Sequence, residues 1–598
     1  MLIAAGFGAA ASADPLAVNT NRPIATTPPM GFNNWARFQC LPQAPLNGRD
    51  AATYGFQDFM LDQGAALVAT GLAQAGYRMV VVDDCWMERG GDGQLHGIGH
   101  WGSYKHPSRQ PGFGPDLTGY MAALHRMGLE GGLYNTSGKS TCQLVAAGEE
   151  GHQDEDAARF AAWGVDFLKL DNCGASDAEL PALFRQMAEA LGRATAHGPR
   201  KILFDESAPA QYAPTDPMKY QSMAWVRPLG QMWRVAPDIR ITHVGPNGRS
   251  LYDPWSFNDA AQGYEEGVYQ AYTDTVALSR YVAAGDWNDA DQLLIGDDGL
   301  TTAEERSQMG LWSIMGAPLI ISADVRELAR NPSDPHFAAS LAILRNARAI
   351  AIDQDALGAG GYRVLRDNSA DDTGVDIALK PLADGGFAFL VLNKNPIPID
   401  YALPLSRLGV TPTPCALTLT DVWSGQTRVI DARDAVSGHI EPHDNMMFRV
   451  APAACARLTP TGQITAAQAA FATPPLCLEA RGDGVVTTQS CSGGARQQWS
   501  MEPSGRIRQA TTSTCLAADA RGGPARTAAC DEGPSQHFAY HRSGALVSGA
   551  GLCLGVETAK VGNGGLIGQQ GARLQAERCG PYAPDQIFSA PRLGSPMV

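Results

Sequence analysis

The segment 163–173, with the sequence WGVDFLKLDNC, places a lysine and an aspartate two residues apart in an otherwise apolar run. Residues 165–171 alternate with the period of a strand, so Lys169 and Asp171 share one face near its C-terminal end. Such runs are typical of parallel sheets that are covered on both sides. Two charges on a buried face are costly unless the protein uses them. We therefore predict a catalytic pair here, with a purely structural Lys–Asp pair as the alternative.

A second acidic pair lies at the end of another apolar run, in the motif VVVDDCW at 80–86. The adjacent carboxylates of Asp83 and Asp84 can accept hydrogen bonds from sugar hydroxyls, while the indole of Trp86 offers an apolar face. Metal binding is the alternative interpretation. It is disfavoured because no spaced histidine or glutamate completes a ligand set.

Under a glycosidase interpretation of these residues, the reaction needs a second carboxyl group besides Asp171. Asp238 is the best candidate for it. It lies four residues after Arg234 in the motif MWRVAPD, where the proline argues against a helix. Retaining glycosidases hold their two carboxyl groups about 5–5.5 Å apart. The neighbouring lysine is expected to keep Asp171 ionised, as a nucleophile requires.

The Asp-rich segment 285–297, which contains Asp291, fits a structural loop and a substrate-binding loop equally well.

The composition is that of a soluble globular chain of 598 residues, enough for roughly three domains. Its 46 basic and 61 acidic residues give a formal net charge of −15, which disfavours nucleic acid or an anionic membrane as a partner. Residues 1–13 are apolar and small and precede a cleavage-like site, so we expect a signal-peptide remnant. No later uncharged run is long enough to span a membrane. The 12 cysteines are spaced like disulfides rather than metal ligands, which predicts a secreted, extracellular or periplasmic protein.

Short apolar strands alternate with helical stretches between residues 25 and 330. This alternation predicts a (β/α)8 TIM barrel, a fold of the α/β class. The polar residues cluster where the strands end, which is the usual place of a barrel active site. The predicted strands are 77–84, 129–135, 165–171, 202–206, 231–235 and 319–323, and the clearest helices are 154–163 and 178–191.

A change to short β-runs predicts an antiparallel β-sandwich over residues 331–456. Residues 457–475 are rich in Thr, Ala, Pro and Gly and suggest a linker. Residues 476–598 contain a threefold repeat of a Cys-Leu step, a second cysteine and a Gln-x-aromatic triplet. The repeat resembles the ricin-type β-trefoil lectin module. Its cysteine pairs are Cys477–Cys491, Cys515–Cys530 and Cys553–Cys579.

The trefoil repeats depart from the lectin pattern at the sugar-binding positions. The aspartate that usually follows the Cys-Leu pair is replaced by Glu479, Ala517 and Gly555. The asparagine that usually precedes the glutamine is replaced by Arg496, Ser535 and Asp585. The fold signature is kept while the ligand signature is weakened. A sugar site is most plausible in the first repeat, and a docking or stabilising module is the alternative.

Eight ordered motifs between residues 27 and 364 resemble glycoside hydrolase family 27, the melibiase or α-galactosidase family. The resemblance implies a (β/α)8 barrel with a C-terminal antiparallel β domain, and retaining hydrolysis of an α-linked sugar without metal or organic cofactor. The motifs are TPPMGFNNW (27–35), VVVDDCW (80–86), GLYNTSGKSTC (132–142), WGVDFLKLDNC (163–173), MWRVAPD (232–238), WNDADQLLIG (287–296), APLIISADVR (317–326) and IDQDALGAGGYRV (352–364).

Residue by residue, the resemblance makes Asp171 the nucleophile and Asp238 the acid/base. The sugar pocket that it implies is lined by Trp35, Asp83, Asp84, Tyr134, Lys169, Arg234 and Asp291. The family disulfides correspond to Cys40–Cys85 and Cys142–Cys173, and a Cys415–Cys455 bridge is suggested without such support. The expected partner is an oligo- or polysaccharide with α-linked galactose.

The match breaks in the segment FDESAPAQY at 204–212, where α-galactosidases usually carry Cys-Glu-Trp. Aligned without a gap, Ser207 and Ala210 fall where α-N-acetylgalactosaminidases similarly use Ser and Ala to accommodate an acetamido group. A shifted alignment brings Glu206 or Asp205 into the pocket instead. The segment therefore leaves the group at the sugar 2-position open.

The expected activity is release of terminal α-linked galactose, because the pair Asp83 and Asp84 reads the 4- and 6-hydroxyls in α-galactosidases. An α-N-acetylgalactosaminidase, an isomaltodextranase-like α-1,6-glucan hydrolase and a β-L-arabinopyranosidase are the alternatives within the family. A non-catalytic carbohydrate-binding protein is the alternative of a different class. It is disfavoured because both carboxyl candidates remain. A cytosolic interaction scaffold is disfavoured by the cysteine pairs and the leader.

Overall fold

The fold is described from a computed structural model of the chain. The residues that the structure describes are 24–40, 45–46, 50, 53–99, 111–144, 148–213, 216–239, 254–255, 265–297, 299–367, 374–468, 475–541, 543–561 and 565–592. Residues 1–13, the expected signal-peptide remnant, lie outside them. The chain folds as a (β/α)8 barrel followed by an antiparallel β-sandwich and a β-trefoil. No helix in these ranges has both the length and the apolar character needed to cross a membrane.

The barrel strands are short and buried. The strands of this body are β1 (Met30–Asn33), β2 (Met79–Val82), β3 (Met87–Arg89), β4 (Leu95–Gly97), β5 (Glu130–Thr136), β6 (Phe167–Asp171), β7 (Leu203–Glu206), β8 (Met232–Arg234), β9 (Asp238–Ile239), β10 (Glu265–Glu266), β11 (Trp287–Asp289) and β12 (Leu319–Ile321). A parallel sheet runs in the order β11-β8-β7-β6-β5-β2-β1-β12. A parallel bridge between Leu293 and Ile321 joins its two ends, so the C-terminal ends of these strands form one rim.

Helices alternate with the barrel strands and bury their apolar faces against them. They are α1 (Trp35–Phe38), α2 (Phe56–Ala69), α3 (Leu72–Ala75), α4 (Thr118–Arg126), α5 (Gln153–Trp163), α6 (Leu180–Ala194), α7 (Ala208–Gln211), α8 (Pro217–Val226), α9 (Val268–Ala277), α10 (Thr302–Met315), α11 (Val325–Arg330), α12 (Pro335–Leu344) and α13 (Ala347–Asp353). Local sequence sets their ends. Helix α10 begins with a capping box between Thr301 and Glu304 and ends at Gly316, whose φ of 67° suits a residue without Cβ.

The β-sandwich docks on the barrel through one face of its larger sheet. Its strands are β13 (Tyr362–Arg366), β14 (Val375–Pro381), β15 (Phe387–Asn393), β16 (Ile399–Pro404), β17 (Ala416–Asp421), β18 (Thr427–Asp431), β19 (Ala435–Ile440) and β20 (Asn445–Val450). In β15, Phe389 and Val391 pack in the sandwich core, whereas Ala388 and Leu390 join the barrel core. Both faces of this strand are therefore buried, which explains its unbroken apolar sequence.

The trefoil is closed around the aromatic residues of its three repeats. Its strands are β21 (Thr461–Gly462), β22 (Thr465–Ala466), β23 (Leu476–Ala480), β24 (Val486–Ser490), β25 (Trp499–Met501), β26 (Ile507–Gln509), β27 (Thr514–Ala517), β28 (Arg526–Ala529), β29 (Phe538–Tyr540), β30 (Leu546–Ser548), β31 (Cys553–Val556), β32 (Thr558–Val561), β33 (Gly565–Gly568), β34 (Leu574–Glu577) and β35 (Phe588–Ser589). Trp499, Phe538 and Phe588 are buried in one cluster. The repeated triplets thus build a shared core.

The repeated glutamine of each triplet holds the chain beyond the second cysteine of its unit. Gln497 accepts a hydrogen bond from the backbone N–H of Ser492 at 2.8 Å and donates to the carbonyl of Ser490 at 2.8 Å. Gln536 makes the equivalent pair of bonds with Asp531 and Ala529, both at 2.9 Å. The glutamines therefore satisfy buried backbone groups, which is a structural reason for their recurrence.

Part of the expected linker is folded. Strand β21 pairs with β25 and β22 pairs with β35, and Ile464 and Ala466 enter the trefoil core. Strands of two residues leave no periodic pattern, so composition alone suggested a linker over 457–475.

All twelve cysteines are paired. The six disulfides match the pairs expected from the sequence, including the bridge that had the least support. They are Cys40–Cys85, Cys142–Cys173, Cys415–Cys455, Cys477–Cys491, Cys515–Cys530 and Cys553–Cys579. The first two lie in the barrel, where they fix loops at the C-terminal rim of the strands.

The trefoil core makes a stability prediction. Replacing the buried Trp499 by alanine removes most of a large side chain, and also the N–H that donates to the carbonyl of Leu478 at 3.0 Å. We expect Trp499→Ala to lower the free energy of unfolding of the trefoil by about 3–5 kcal/mol. Differential scanning calorimetry checks this as an earlier transition. The control Val429→Ala, at a side chain that is 66% exposed, should leave the profile within about 0.5 kcal/mol. An unchanged profile in Trp499→Ala would contradict the shared aromatic core.

Candidate active site

A cavity of about 410 Å³ opens at the C-terminal rim of the barrel strands. Strands β5, β6 and β8 contribute side chains to it, and the loops that follow the strands supply the rest. Eight of the residues predicted from the sequence line it: Trp35, Asp83, Tyr134, Lys169, Asp171, Ser207, Arg234 and Asp238. Residues distant in sequence thus meet because parallel strands end on one side of a barrel.

Asp171 ends strand β6 and is held in place from two sides. The hydroxyl of Tyr134 donates to Asp171 Oδ2 at 3.1 Å, and the backbone N–H of Asn172 donates to Oδ1 at 2.9 Å. Cys142 Sγ, which is part of the Cys142–Cys173 disulfide, lies 3.2 Å from Oδ2. Burial raises the pKa of Asp171 above its ordinary value, and the charge of Lys169 opposes this only in part. The lysine is therefore weaker in keeping Asp171 ionised than the sequence suggested.

Lys169 pairs with Asp83 rather than with its neighbour along the strand. Its ammonium donates to Asp83 Oδ2 at 2.8 Å, and the amide of Asn33 donates to the same oxygen at 2.8 Å. Burial alone lowers the pKa of Lys169. The charges of Asp83, Asp171 and Asp238 outweigh burial and raise that pKa, so the ammonium is charged. This ion pair links strand β6 to the end of β2.

Asp238 is positioned by an indole and a guanidinium. Trp35 Nε1 donates to Asp238 Oδ2 at 3.1 Å, and Arg234 Nη2 donates to Oδ1 at 3.2 Å. The side chain of Asp238 is 44% exposed, in contrast to that of Arg234, which is 3% exposed. A carboxyl group fixed in direction but open to solvent can exchange a proton with water and with a bound molecule.

Two residues expected in the sugar pocket lie one layer behind it. Asp84 is buried and accepts hydrogen bonds from the backbone N–H groups of Cys85 at 2.6 Å and Gln143 at 2.9 Å. Asp291 pairs with Arg234 at 3.0 Å and accepts from the backbone N–H of Ile239 at 2.7 Å. Burial raises the pKa of each to about 7. Both carboxyl groups thus hold the loops around the cavity through their bonds to protein donors.

In the segment 204–212, which departs from the family pattern, the structure shows which residues face the cavity. Ser207 and Ala210 line the cavity. Asp205 lines a smaller cavity of about 20 Å³ inside the barrel, and the carboxyl of Glu206 lies against Gly230 on the other face of β7. Burial raises the pKa of Asp205 and of Glu206 well above the ordinary values. Of the four residues considered in this segment, Ser207 and Ala210 thus line the cavity and Asp205 and Glu206 do not.

Lys219, a fully buried residue of helix α8, was not predicted from the sequence as part of the site. Its ammonium donates to the carbonyl of Val235 at 2.7 Å and lies 3.4 and 3.5 Å from the carbonyls of Pro209 and Tyr212. It therefore ties the segment that carries Ala210 to the loop before Asp238. A lysine in a helix usually faces solvent, so the sequence carries no signal for this role.

The arrangement offers two carboxyl groups of different character to one bound molecule. Asp171 and Asp238 both line the cavity and are both partly exposed, and Lys169 and Arg234 supply positive charge to the same cavity. Such a pair can carry a two-step displacement, one carboxylate attacking and the other transferring protons. Cys142, Asp171 and Cys173 lie close together, but their sulfurs are joined in a disulfide and offer no thiolate to a metal ion.

Comparison with known proteins identifies all three bodies. The family model described as alpha galactosidase A matches residues 27–355, the alpha galactosidase C-terminal beta sandwich domain matches 372–450, and the ricin-type beta-trefoil lectin domain matches 467–588. Alpha-galactosidase A of Aspergillus niger is 32% identical over 531 residues, which are 87% of this chain and 86% of the relative.

Solved structures share the fold. The crystal structure of alpha-galactosidase I from Mortierella vinacea matches with a TM-score of 0.58 at 21% identity, over 72% of this chain and 98% of the other. An α-galactosidase from Saccharomyces cerevisiae, solved with raffinose, matches with a TM-score of 0.56 at 20% identity and the same coverage.

The buried ammonium of Lys219 makes a prediction about the site. In Lys219→Met, the carbonyl of Val235 loses its donor and nearby Asp274 loses its opposing charge, so we expect a loss of about 3 kcal/mol in unfolding free energy. Hydrogen exchange at the amide of Ile239 should also accelerate. The control is Lys201→Met, which removes a partly exposed lysine that donates to the carbonyl of Thr195 at 2.8 Å. Equal stability of the two variants in denaturant unfolding would show that Lys219 does not hold this loop.

Proposed function

We infer the function from one premise: the chain belongs to the α-galactosidase A family, glycoside hydrolase family 27. The protein is an α-galactosidase, which hydrolyses the bond that joins α-linked galactose to the rest of a galactoside. One observation carries the further proposal about its site. Asp171 and Asp238 line one cavity at the rim of the barrel, each with its own hydrogen-bond donors. We propose that these two residues perform the reaction.

The proposed mechanism has two steps and retains configuration. Asp171 attacks the anomeric carbon of galactose while Asp238 donates a proton to the departing glycosidic oxygen. The result is a galactosyl ester on Asp171. Asp238, now a carboxylate, takes a proton from a water molecule as the water oxygen attacks the anomeric carbon. The bond from this carbon to Asp171 breaks, which releases galactose and the free carboxylate of Asp171. The exposure of Asp238 fits this second role, because water reaches its carboxyl group.

The surrounding groups position the carboxyls and the sugar. Trp35 and Arg234 orient Asp238, and Tyr134 orients Asp171. Oδ2 of Asp83 is engaged by Lys169 and Asn33, which fixes the direction of its carboxylate at the cavity wall. A carboxylate fixed in this way can accept hydrogen bonds from sugar hydroxyls.

A second substrate is favoured by a specific observation. Ser207 and Ala210, both small, line the cavity in the segment where α-galactosidases usually carry a glutamate. Small side chains leave room for a substituent on the sugar, such as the acetamido group of an α-N-acetylgalactosaminide. Turnover of that glycoside is the second candidate activity.

We also propose an extracellular location for the enzyme. Its twelve cysteines form six disulfides, which persist in oxidising compartments. The natural substrate is then an oligo- or polysaccharide with terminal α-linked galactose, met outside the cell.

Hydrolysis of aryl glycosides tests the function and the roles together. We expect preferential turnover of aryl α-galactoside over aryl α-N-acetylgalactosaminide and dextran. Asp171→Ala should abolish turnover because no other group replaces the nucleophile. Asp238→Asn should lower it about 10²- to 10⁴-fold through loss of proton transfer. The control Asp154→Ala changes an exposed aspartate paired with Arg193. Preferential turnover of dextran or of the acetamido sugar would overturn the substrate, and full activity in Asp171→Ala would overturn the nucleophile.

The pH profile tests the electrostatics of Asp171. The nucleophile acts when ionised, so its pKa sets the acidic limb of kcat/KM. The charge of Lys169 lowers the pKa of Asp171 against the effect of burial. In Lys169→Met that pKa rises, and the acidic limb moves to higher pH. Lys201→Met should keep the wild-type limb. An acidic limb that stays in place, or moves to lower pH, in Lys169→Met would refute this coupling.

A further inference from the structure

A second cavity, of about 350 Å³, lies where the trefoil meets the barrel and shares no lining residue with the active-site cavity. We call it the junction cavity. The barrel supplies one charged side chain and the trefoil supplies the rest. The polar and charged residues around it are Arg280, Glu502, Arg506, Tyr540, His541 and Arg592.

Two arginines reach across the junction in opposite directions. Arg280 of the barrel donates to the backbone carbonyls of Tyr540 and His541, and its guanidinium lies 4.4 Å from the ring centroid of Tyr540. Arg592 of the trefoil donates to the carbonyls of Ser279 at 2.5 Å and Gly360 at 3.3 Å. These bonds join the barrel to the trefoil. Carbonyl groups carry only a partial negative charge, so they do not neutralise the guanidinium groups.

Within the described residues, both guanidinium groups are buried without a counter-charge. Arg280 is 6% exposed and Arg592 is 8% exposed. Neither forms an ion pair with a carboxylate in the described part of the chain, and Arg592 Nε has no hydrogen-bond partner there. Glu502 lies in the same cavity, but its carboxylate accepts from Arg506 at 3.1 Å and from Arg508 at 2.7 Å.

The positive charges of Arg280 and Arg592 repel each other, and the low dielectric of their buried surroundings strengthens this repulsion. Burial and the nearby charge of Arg280 lower the pKa of Arg592 to about 10, so both groups are still cationic at neutral pH. Buried charges are normally paired, because an unpaired one loses its hydration without compensation. The positive charge of this cavity is opposite in sign to the formal net charge of the chain, which is −15.

We propose that the junction cavity binds an oxyanion group, a carboxylate, phosphate or sulfate, between Arg280 and Arg592. Guanidinium groups bind these anions through charge-assisted hydrogen bonds. The Nε and Nη2 groups of Arg280 and the Nη2 group of Arg592 already donate to carbonyls, and in the described part of the chain the Nη1 group of each arginine donates to no protein acceptor. The bound anion neutralises both arginines and bridges the barrel to the trefoil. It therefore stabilises their docking in addition to the direct bonds between them.

Isothermal titration of the full-length enzyme with acetate, inorganic phosphate and sulfate, at constant ionic strength in chloride, tests this site and separates the three anions. We expect saturable binding of at least one. Arg592→Met and Arg280→Met should each weaken it at least about tenfold, the effect of losing a hydrogen bond to a charged group. The matched control is Arg433→Met, at an exposed arginine already paired with Asp431. Absence of saturable binding to the wild type, or wild-type affinity in both cavity variants, overturns the proposal.

A second measurement does not depend on variants that could disturb the docking. Crystals of the wild-type enzyme soaked in selenate, an anomalous scatterer that mimics sulfate, should show a peak between the guanidinium groups of Arg280 and Arg592. Arg592→Lys, which keeps the charge but loses the fork, should bind with intermediate affinity. Selenate peaks elsewhere and none in the junction cavity would contradict the site.

Discussion

The active site is governed by an imbalance between buried carboxyl groups and cations. Among the described residues, six carboxyl groups line the two cavities of the barrel together with two cations, Lys169 and Arg234. These carboxyl groups belong to Asp83, Asp171, Asp205, Asp238, Asp289 and Asp291. They cannot all be ionised without strong repulsion, and burial raises the pKa of Asp171, Asp205, Asp289 and Asp291. The two cations therefore decide which carboxylates carry charge.

The same ion pairs hold the site's architecture. Lys169 joins β6 to the end of β2 through Asp83, and Arg234 joins β8 to the loop after β11 through Asp291. Asp291 adopts a φ of 69°, a conformation that non-glycine residues rarely take, and its bonds to Arg234 and Ile239 keep it there. The stability of the site and the proposed catalysis thus rest on one charge network. Substitution of either cation is expected to disturb both.

Much of the fold could be predicted from the sequence, because most barrel strands are apolar runs that are buried along nearly their whole length. The predicted strand 165–171 contains β6, and the predicted strand 202–206 contains β7. Strands β1 and β11 were not predicted, since MGFN and WND are too short and too polar to show a period. Strands β21 and β22, inside the expected linker, were not predicted because they are equally short.

Eight of the residues predicted from the sequence line the cavity, but their pairing could not be predicted. Sequence patterns tell which residues share the face of a strand, as with Lys169 and Asp171. They do not tell which neighbour across the barrel comes within hydrogen-bond distance, and here that neighbour is Asp83. Burial depth was equally hidden, so the sequence did not indicate that backbone donors reach both oxygens of Asp84. Lys219 left no signal because only the packing of α8 buries it.

Trapping of the covalent intermediate tests the central claim most directly. A 2-fluoro galactosyl substrate with a good leaving group should form a slowly hydrolysed ester, because fluorine destabilises the charged transition state of hydrolysis. Peptide mass spectrometry of the quenched enzyme should then locate one galactosyl label on Asp171, in the segment 163–173. A label on another carboxyl group, or turnover with inverted product configuration and no label, would contradict the assignment of Asp171 as the nucleophile.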